Sequence, residues 1–526
     1  NGTASSRIYE LIEPTYNVFP IITAMNVSKN LAYLPKTIGE LSSIISSSGR
    51  TVPEEILHKI GNTSGKSTLP FSIFLIVQLK REGDKDLERF DLAHIRTRIP
   101  ICDVVRRKCD LKESGFATWF YSIPIEIDML IEPPSRLVNS MQNGKEKMCN
   151  CMTFIGTGTL GSNVIDHFVR EGLVSNIKIV DYDIYYAHNI SRHVLPPKDI
   201  MQLKTKAIKR HYEGVDDTKI HTIDMNALNL QTHEVEYALV QTDLIVDVST
   251  SIAVERLIAE KDECKNVRKC CAFLNPKGTD VVLLMEDVQR TQRLDLLEMS
   301  YLYNVLISNE LTKHLDTSEH RRTNNFSCRS ESNILDYDNV VMLSSVVSQQ
   351  IQKAYRSAES FLGIWGVDQE NSIINKYELK TLSWKYKKVG DITVWYSMEL
   401  IKEIVKHKDK DTSHETGGCL FGCYDRTSSS IYIFFEHPAP MDSKCSRTFF
   451  ERGCQGLSKV WSEIDEKTFH QVRYLGEWHS HPHASSCPSQ IDKKQFEEMS
   501  SLLKQEDLPF VQLICGKNDI YINAAF

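Results

Sequence analysis

The sequence predicts an α/β protein of three domains, and three observations carry that expectation. At 526 residues the chain is too long for one hydrophobic core. An apolar strand pattern at 152–155 runs into Gly156-Thr157-Gly158-Thr159-Leu160-Gly161, and an amphipathic helix pattern comes next over 164–171. Near the end, strand and helix patterns alternate around Gly476-Glu477-Trp478-His479-Ser480-His481-Pro482. Interleaved elements of this kind mean layers of sheet and helix. The expected organisation is an α+β accessory domain over 1–145, a Rossmann-like nucleotide-binding domain over 146–375 and a second α/β domain over 385–526.

Composition removes several function classes. Hydrophobic residues make up 41% of the chain and charged residues 25%, ordinary values for a soluble globular protein. A net charge of −7 gives no general attraction to nucleic acid or to an anionic membrane. The apolar run at 71–77 is far too short to cross a bilayer. The first residues show no basic region followed by an apolar stretch, so no secretory signal is expected there. The 14 cysteines are scattered, without a small-domain disulfide spacing, which points to a reducing, cytoplasmic setting.

Residues 1–145 carry no chemistry of their own. Helix patterns are expected near 36–48 and 52–60, and strands over 70–80, 90–99 and 116–131. Charged turns such as Arg81-Glu82-Gly83-Asp84 separate the strand runs. Glu132-Pro133-Pro134-Ser135 breaks structure and marks a boundary. Cys102 and Cys109 read as ordinary small residues rather than as nucleophiles.

In the second domain the strand at 177–180 ends at Asp181. Glycines at 156, 158 and 161 let the backbone approach a phosphate, the helix N-terminus faces the anion, and an acid about 20 residues on suits ribose hydroxyls. The residues after that acid argue against NAD. Asp181-Tyr182-Asp183, Asn189-Ile190-Ser191-Arg192 and Lys204-Thr205-Lys206-Ala207 come in that order. The order resembles the ThiF/MoeB/HesA family, the ubiquitin-activating superfamily of ATP-dependent adenylating enzymes. The resemblance implies ATP with magnesium, Asp181 on the ribose, and Asn189, Arg192 and Lys206 on the phosphates, with Lys206 preferred to Lys204. One departure concerns magnesium. Asp247 opens Asp247-Val248-Ser249-Thr250, and Thr250 stands where the family has a second acid. Cys270 and Cys271 read as packing residues. Cys328 lies in the basic stretch Arg321–Arg322…Ser327-Cys328-Arg329 and resembles the crossover-loop cysteine of thioester-forming members. Neighbouring arginines favour its thiolate.

Over 364–388 periodicity fades and charge gathers, so a linker is expected there. Beyond it, strands are expected at 392–396, 417–421, 431–435, 472–478, 510–514 and 520–524. Helices are expected up to about 407, over 451–468 and from Ser489 to about 503. His479 and His481, at i and i+2 on an extended segment, point to one side. A helix starting at Ser489 can bring Asp492 to the same point. Two imidazoles and a carboxylate make a three-ligand zinc site with a fourth position free. Glu415, in Glu415-Thr416-Gly417-Gly418, is the candidate base.

This set of Glu, His-x-His and Ser-x-x-Asp resembles the JAMM signature of the JAB/MPN metalloproteases. By that resemblance His479, His481 and Asp492 hold zinc, Glu415 moves a proton from the attacking water to the leaving amine, and Ser489 steadies the oxyanion. The two resemblances together imply one substrate end: the C-terminal glycine of a ubiquitin-like protein, adenylated by one domain and cut behind by the other. Such fusions resemble those of bacterial ubiquitin-like conjugation operons linked to antiphage defence. A ubiquitin-conjugating-like enzyme and a homodimeric partner are further implied. Two other readings stay open: activation of a ThiS/MoaD-like sulfur carrier trimmed by the protease, and a scaffold with one inactive site.

Overall fold

The computed structural model describes residues 17–26, 35–44, 51–62, 65–80, 89–128, 135–316, 321–323, 331–368, 370–410 and 412–526. Residues 1–133 and 134–526 form two compact units.

The first unit is built on a four-stranded sheet in the order β1 (Asn17–Asn26), β2 (Pro70–Lys80), β3 (Arg89–Pro100) and β4 (Glu126–Asp128). β1 runs parallel to β2, and the other neighbours are antiparallel. Its core joins Ile38, Ile56, Phe71, Ile95 and Phe120. The Val52–Gly61 helix starts where the sequence says it should. Thr51 caps it, Glu54 returns a bond to the Thr51 backbone, and Pro53 occupies the first turn. The first part of the strand expected over 116–131 is instead helix, Glu113–Tyr121; β4 supplies an extended part, and 129–131 lie outside the described residues. Aromatic richness suggested a strand, but Phe116 and Phe120 lie one helical turn apart and stack at 5.8 Å between ring centroids. Cys102 is half-buried and Cys109 exposed on the Ile101–Asp110 helix.

The second unit holds two large sheets. One is parallel through β9 (Arg268–Leu274), β8 (Leu244–Asp247), β5 (Cys149–Ile155), β6 (Val174–Val180) and β7 (Lys219–Ile223). Beyond β9 it continues antiparallel through β10 (Asp280–Met285), β13 (Phe361–Asp368) and β14 (Ile373–Lys376). The other has the order β15 (Trp384–Val389), β16 (Ile392–Ser397), β18 (Ser430–Pro438), β17 (Gly417–Asp425), β21 (Arg473–Ser480), β22 (Phe510–Cys515) and β23 (Ile520–Ala525). Two small pairs complete it, β11 (Arg321–Thr323) with β12 (Glu331–Asn333), and β19 (Lys444–Ser446) with β20 (Phe449–Glu451).

The linker expected over 364–388 is not a linker. Strands β13, β14 and β15 occupy most of it, and the connection between them is pinned. Lys380 N donates to Asn304 Oδ1 at 2.8 Å, and Leu382 N to Ser300 Oγ at 3.2 Å. Charge gathers here because β15 is an edge strand with exposed lysines, a usual way to blunt a sheet edge.

The two sheets share one core. The Leu294–Ile307 helix is buried on nearly every side, so it serves two layers at once. A single apolar cluster runs from Ile155 and Leu284 through Leu297 and Val305 to Phe421, Tyr432 and Phe434. Inside it, the Tyr432 hydroxyl donates to Asp295 Oδ2 at 2.8 Å, and Arg293 pairs with Asp295 while lying 5.2 Å from the centre of the Trp395 ring. Tyr432→Phe is expected to lower the stability of residues 134–526 by about 1.5–3 kcal/mol, the range for losing a bond to a buried charged group. Calorimetry is expected to show one cooperative transition for both sheets, displaced as a whole. Two transitions with only one displaced would mean independent cores.

Candidate functional site

β21 lies between β17 and β22, so His479 at its end is held by ladders on both sides. His481 is two residues further on, and its N–H donates to Cys515 O at 2.9 Å. Asp492 comes from the first turn of the Gln490–Gln505 helix. Ser489 caps that helix: Asp492 N donates to Ser489 Oγ at 3.2 Å, and Ser489 N donates to Asp492 Oδ2 at 2.6 Å. Gln512, buried on β22, donates from Nε2 to Asp492 O at 2.9 Å and fixes the helix start. Three elements therefore meet. His479 Nε2 lies 3.3 Å from Asp492 Oδ1, His481 Nε2 lies 3.7 Å from Asp492 Oδ2, and one ligand atom from each of the three residues falls within 4.8 Å of the others.

Two observations test whether this set fits a metal. His479 Nε2 is buried and makes no hydrogen bond of good geometry; its nearest polar neighbour is Asp492 Oδ1 at 3.3 Å, and an ion between the two would satisfy both. His481 Nδ1 lies 3.0 Å from Ser485 O, which accepts from a protonated Nδ1 and leaves Nε2 as the free lone pair. The residues fit a two-nitrogen, one-oxygen site. Burial alone would raise the Asp492 pKa; the bond and charge of His479, with the Ser489 bonds, outweigh it and hold the carboxyl well below the usual carboxylate range.

Glu415 stands beside this cluster, its Oε1 4.0 Å from His481 Nε2 and its side chain 12% exposed. Burial pushes its pKa up, with the two histidines pulling the other way. Gly417 sits opposite His479 in the β17–β21 pairing. A side chain at Gly417 would collide with the Phe450 ring and the Trp478 carbonyl, and one at Gly418 with the His437 carbonyl. Gly417 lets β17 lie flush against the strand that carries His479, and Gly418 lets it lie flush against β18. Ahead of them, Thr416 N donates to Ser480 Oγ at 3.0 Å, Ser480 N to Thr416 O at 2.7 Å, and Glu415 N to Ser446 O at 2.8 Å.

The glycine turn is equally constrained. Gly156 has φ +93°, and a Cβ there would lie 2.8 Å from Ser249 Cα. A Cβ on Gly161 would lie 2.5 Å from Gly156 O. Gly158 precedes the Thr159–Arg170 helix and faces open space. Asp181 is engaged at both oxygens: Thr157 N and Oγ1 donate to Oδ2 at 2.7 and 2.6 Å, and Asp183 N donates to Oδ1 at 2.9 Å. Asn189 Oδ1 accepts from Tyr186 N at 2.9 Å inside the Ala187–Arg192 turn. Arg192 donates from Nη1 to Asn333 O at 2.6 Å, while its Nε is buried without a partner. Burial holds the Arg192 pKa below its ordinary value.

The two candidate lysines and the acid at the end of β8 sit in different surroundings. Lys206 is 59% exposed and pairs with Asp224 at 3.2 Å. Lys204, two residues earlier, is 7% exposed and reaches Asp183 at 2.9 Å, beside Asp181. Both lysines lie on one short helix, and alternate positions of a helix face different sides. Asp247 is fully enclosed at 1% exposure, with Oδ1 taking the Ser249 N–H and Oδ2 unpartnered. Burial, eased by Ser249, pushes its pKa up to about 6. The Thr250 hydroxyl donates to Ser249 O.

Cys270 and Cys271 are buried, as packing residues should be. Cys328 lies outside the described residues; those flanking it pair as β11 and β12. The residues the sequence did not single out are Thr157, Ser480, Gln512 and the Ser485 carbonyl. Thr157 and Ser480 lay inside the quoted motifs; the others carry no sequence signal.

Residues 397–522 match the family of prokaryotic homologs of the JAB domain, and residues 140–283 match the ThiF family. A CD-NTase/cGAS isopeptidase of Enterobacter hormaechei subsp. hoffmannii is 35% identical over 127 residues, covering 24% of this chain and 67% of that protein. A CD-NTase/cGAS isopeptidase of Pseudomonas aeruginosa is 29% identical over 132 residues, covering 24% of this chain and 77% of the other. Among solved structures, E. coli MccB is 14% identical with a TM-score of 0.32, covering 46% of this chain and 66% of the MccB chain. Among the described residues, no helix is long and apolar enough to cross a membrane.

Proposed function

Because this chain belongs to the family of prokaryotic JAB-domain homologs and carries a ThiF-family domain ahead of that domain, we propose that it is a bifunctional enzyme of ubiquitin-like conjugation. One domain adenylates the C-terminal glycine of a ubiquitin-like protein with ATP. The other hydrolyses the peptide or isopeptide bond behind that glycine. The observation that carries the reading is the convergence of His479, His481 and Asp492 beside Glu415, within the same compact unit as the glycine turn. The isopeptidase relatives, named for CD-NTase/cGAS, support the hydrolytic half and a setting in antiphage defence.

Zinc held by His479, His481 and Asp492 would polarise the scissile carbonyl and make water a nucleophile near neutral pH. Glu415 takes the proton from the attacking water and passes it to the leaving amine. Ser489, beside the ligand Asp492, is placed to steady the developing oxyanion while its side chain caps the helix. In the other domain the Gly158 helix N-terminus faces the phosphates, and Arg192 and Lys204 offset charge that builds as the glycine carboxylate attacks the α-phosphorus. Pyrophosphate leaves, and the Cys328 thiolate then takes the acyl group and releases AMP. A conjugating-type enzyme would receive that thioester, and the chain would act as a homodimer.

The test uses a candidate ubiquitin-like protein ending in glycine, with and without a C-terminal tag. The zinc-loaded enzyme is expected to remove the tag and the chelated enzyme to leave it. The processed protein is expected to stimulate ATP–pyrophosphate exchange and to form a thiol-reducible adduct that Cys328→Ala loses. Exchange without the adduct would favour sulfur-carrier activation; neither cleavage nor exchange would overturn the reading.

A further inference from the structure

We propose that Ser480, the residue between the two histidines, is the positioning residue for Glu415. Glu415 makes no side-chain hydrogen bond among the described residues, so its place is set by its backbone. That backbone is held from two sides. On one, Glu415 N donates to Ser446 O at 2.8 Å in the β19–β20 hairpin. On the other, the clamp is Ser480.

In a regular antiparallel ladder Thr416 and Ser480 would exchange two backbone bonds. Here only one is made, from Ser480 N to Thr416 O at 2.7 Å. The second donor, Thr416 N–H, goes to the Ser480 hydroxyl at 3.0 Å. The reason is local. Past Ser480 the chain leaves β17, and His481 N turns to Cys515 O on β22. Ser480 stands at that fork, wholly buried at 0% exposure, and its hydroxyl closes the ladder where its carbonyl no longer does. The strand that presents His479 thereby grips, through its next residue, the segment that presents the base. Spacing between base and ligands is written into one side-chain bond, and a residue without a hydroxyl cannot make it. Removing it would leave the Thr416 N–H without its acceptor and Glu415 held on one side only.

This inference rests on the peptidase reading, and its test separates the two. Ser480→Ala is compared with the wild type and with Glu415→Gln in the full chain, using the tagged ubiquitin-like protein as probe. Zinc content and KM are expected to stay at wild-type values while kcat falls about ten- to hundredfold, the usual effect of losing an outer-shell partner. In the Glu415→Gln background, Ser480→Ala is expected to add no further loss, since it acts only through Glu415. Amide hydrogen exchange at Thr416 is expected to accelerate in Ser480→Ala. That readout needs no turnover, so it stands even if the wild type cleaves nothing, an outcome that would overturn the peptidase reading alone. An unchanged kcat, a full additional loss in the Glu415→Gln background, zinc lost in proportion to activity, or unchanged exchange at Thr416 would each overturn the role of Ser480.

Discussion

Glu415→Gln is expected to reduce cleavage behind the substrate glycine by about 10²- to 10⁴-fold, the range for removing a general acid–base group. The substitution keeps size and shape and removes only the ability to take a proton. Zinc content is expected to stay at one ion, because Glu415 is not among the three ligand atoms that cluster within 4.8 Å. Its carboxylate sits 4.0 Å from His481 Nε2, close enough to work beside the site without belonging to it. His479→Ala is expected to behave differently, losing zinc and activity together, since it removes one of the three clustered ligand atoms. Metal analysis alongside single-turnover cleavage distinguishes the two outcomes. A Glu415→Gln enzyme that still cuts at the wild-type rate would place the base elsewhere.

Lys204→Ala is expected to lower ATP–pyrophosphate exchange by about 10²-fold or more, the scale of removing one transition-state charge partner. Lys206→Ala is expected to leave exchange close to the wild type. The contrast comes from where the two side chains go. Lys204 is drawn in by Asp183, whose own N–H binds Asp181, so its ammonium lies beside the glycine turn. Lys206 points to Asp224 and is mostly in water, where such a pair contributes little. Asp183 remains 39% exposed, so removal of Lys204 leaves it hydrated and the domain folded. Equal losses in both variants, or a loss confined to Lys206→Ala, would return the role to Lys206.

The contrast between these two experiments shows where residue types suffice and where they do not. Glu415, His479, His481, Ser489 and Asp492 were legible because a metal site needs particular atoms at particular spacings. A strand and a helix cap supply those spacings locally. Ser489 and Asp492 form a capping box within four residues, so sequence alone fixed their mutual geometry. The two lysines differ only in which way a short helix faces, and that depends on what packs beneath it. Asp247 matches a motif by type, and only the structure shows how deeply it is enclosed.

Fold elements divide in the same way. The strands β16, β17, β18, β21, β22 and β23 arise from short apolar runs, and the glycine turn from the close approach of Gly156 and Gly161 to the neighbouring backbone. The helix at Glu113–Tyr121 was read as strand because aromatic residues favour both states until their partners are known.

By itself, then, the sequence determined which residue types stand at which spacing: His-x-His with a following Ser-x-x-Asp, a glutamate upstream and a glycine turn ahead of an acid. Tertiary structure decided the rest. It placed the Leu294–Ile307 helix in both sheets and turned a charged stretch into edge strands. It brought Ser480 against Thr416, and turned Lys204 inward onto Asp183 while leaving Lys206 in water. Each of these depends on a contact between residues far apart in the chain or on the buried side of a helix, and no local pattern encodes such a contact.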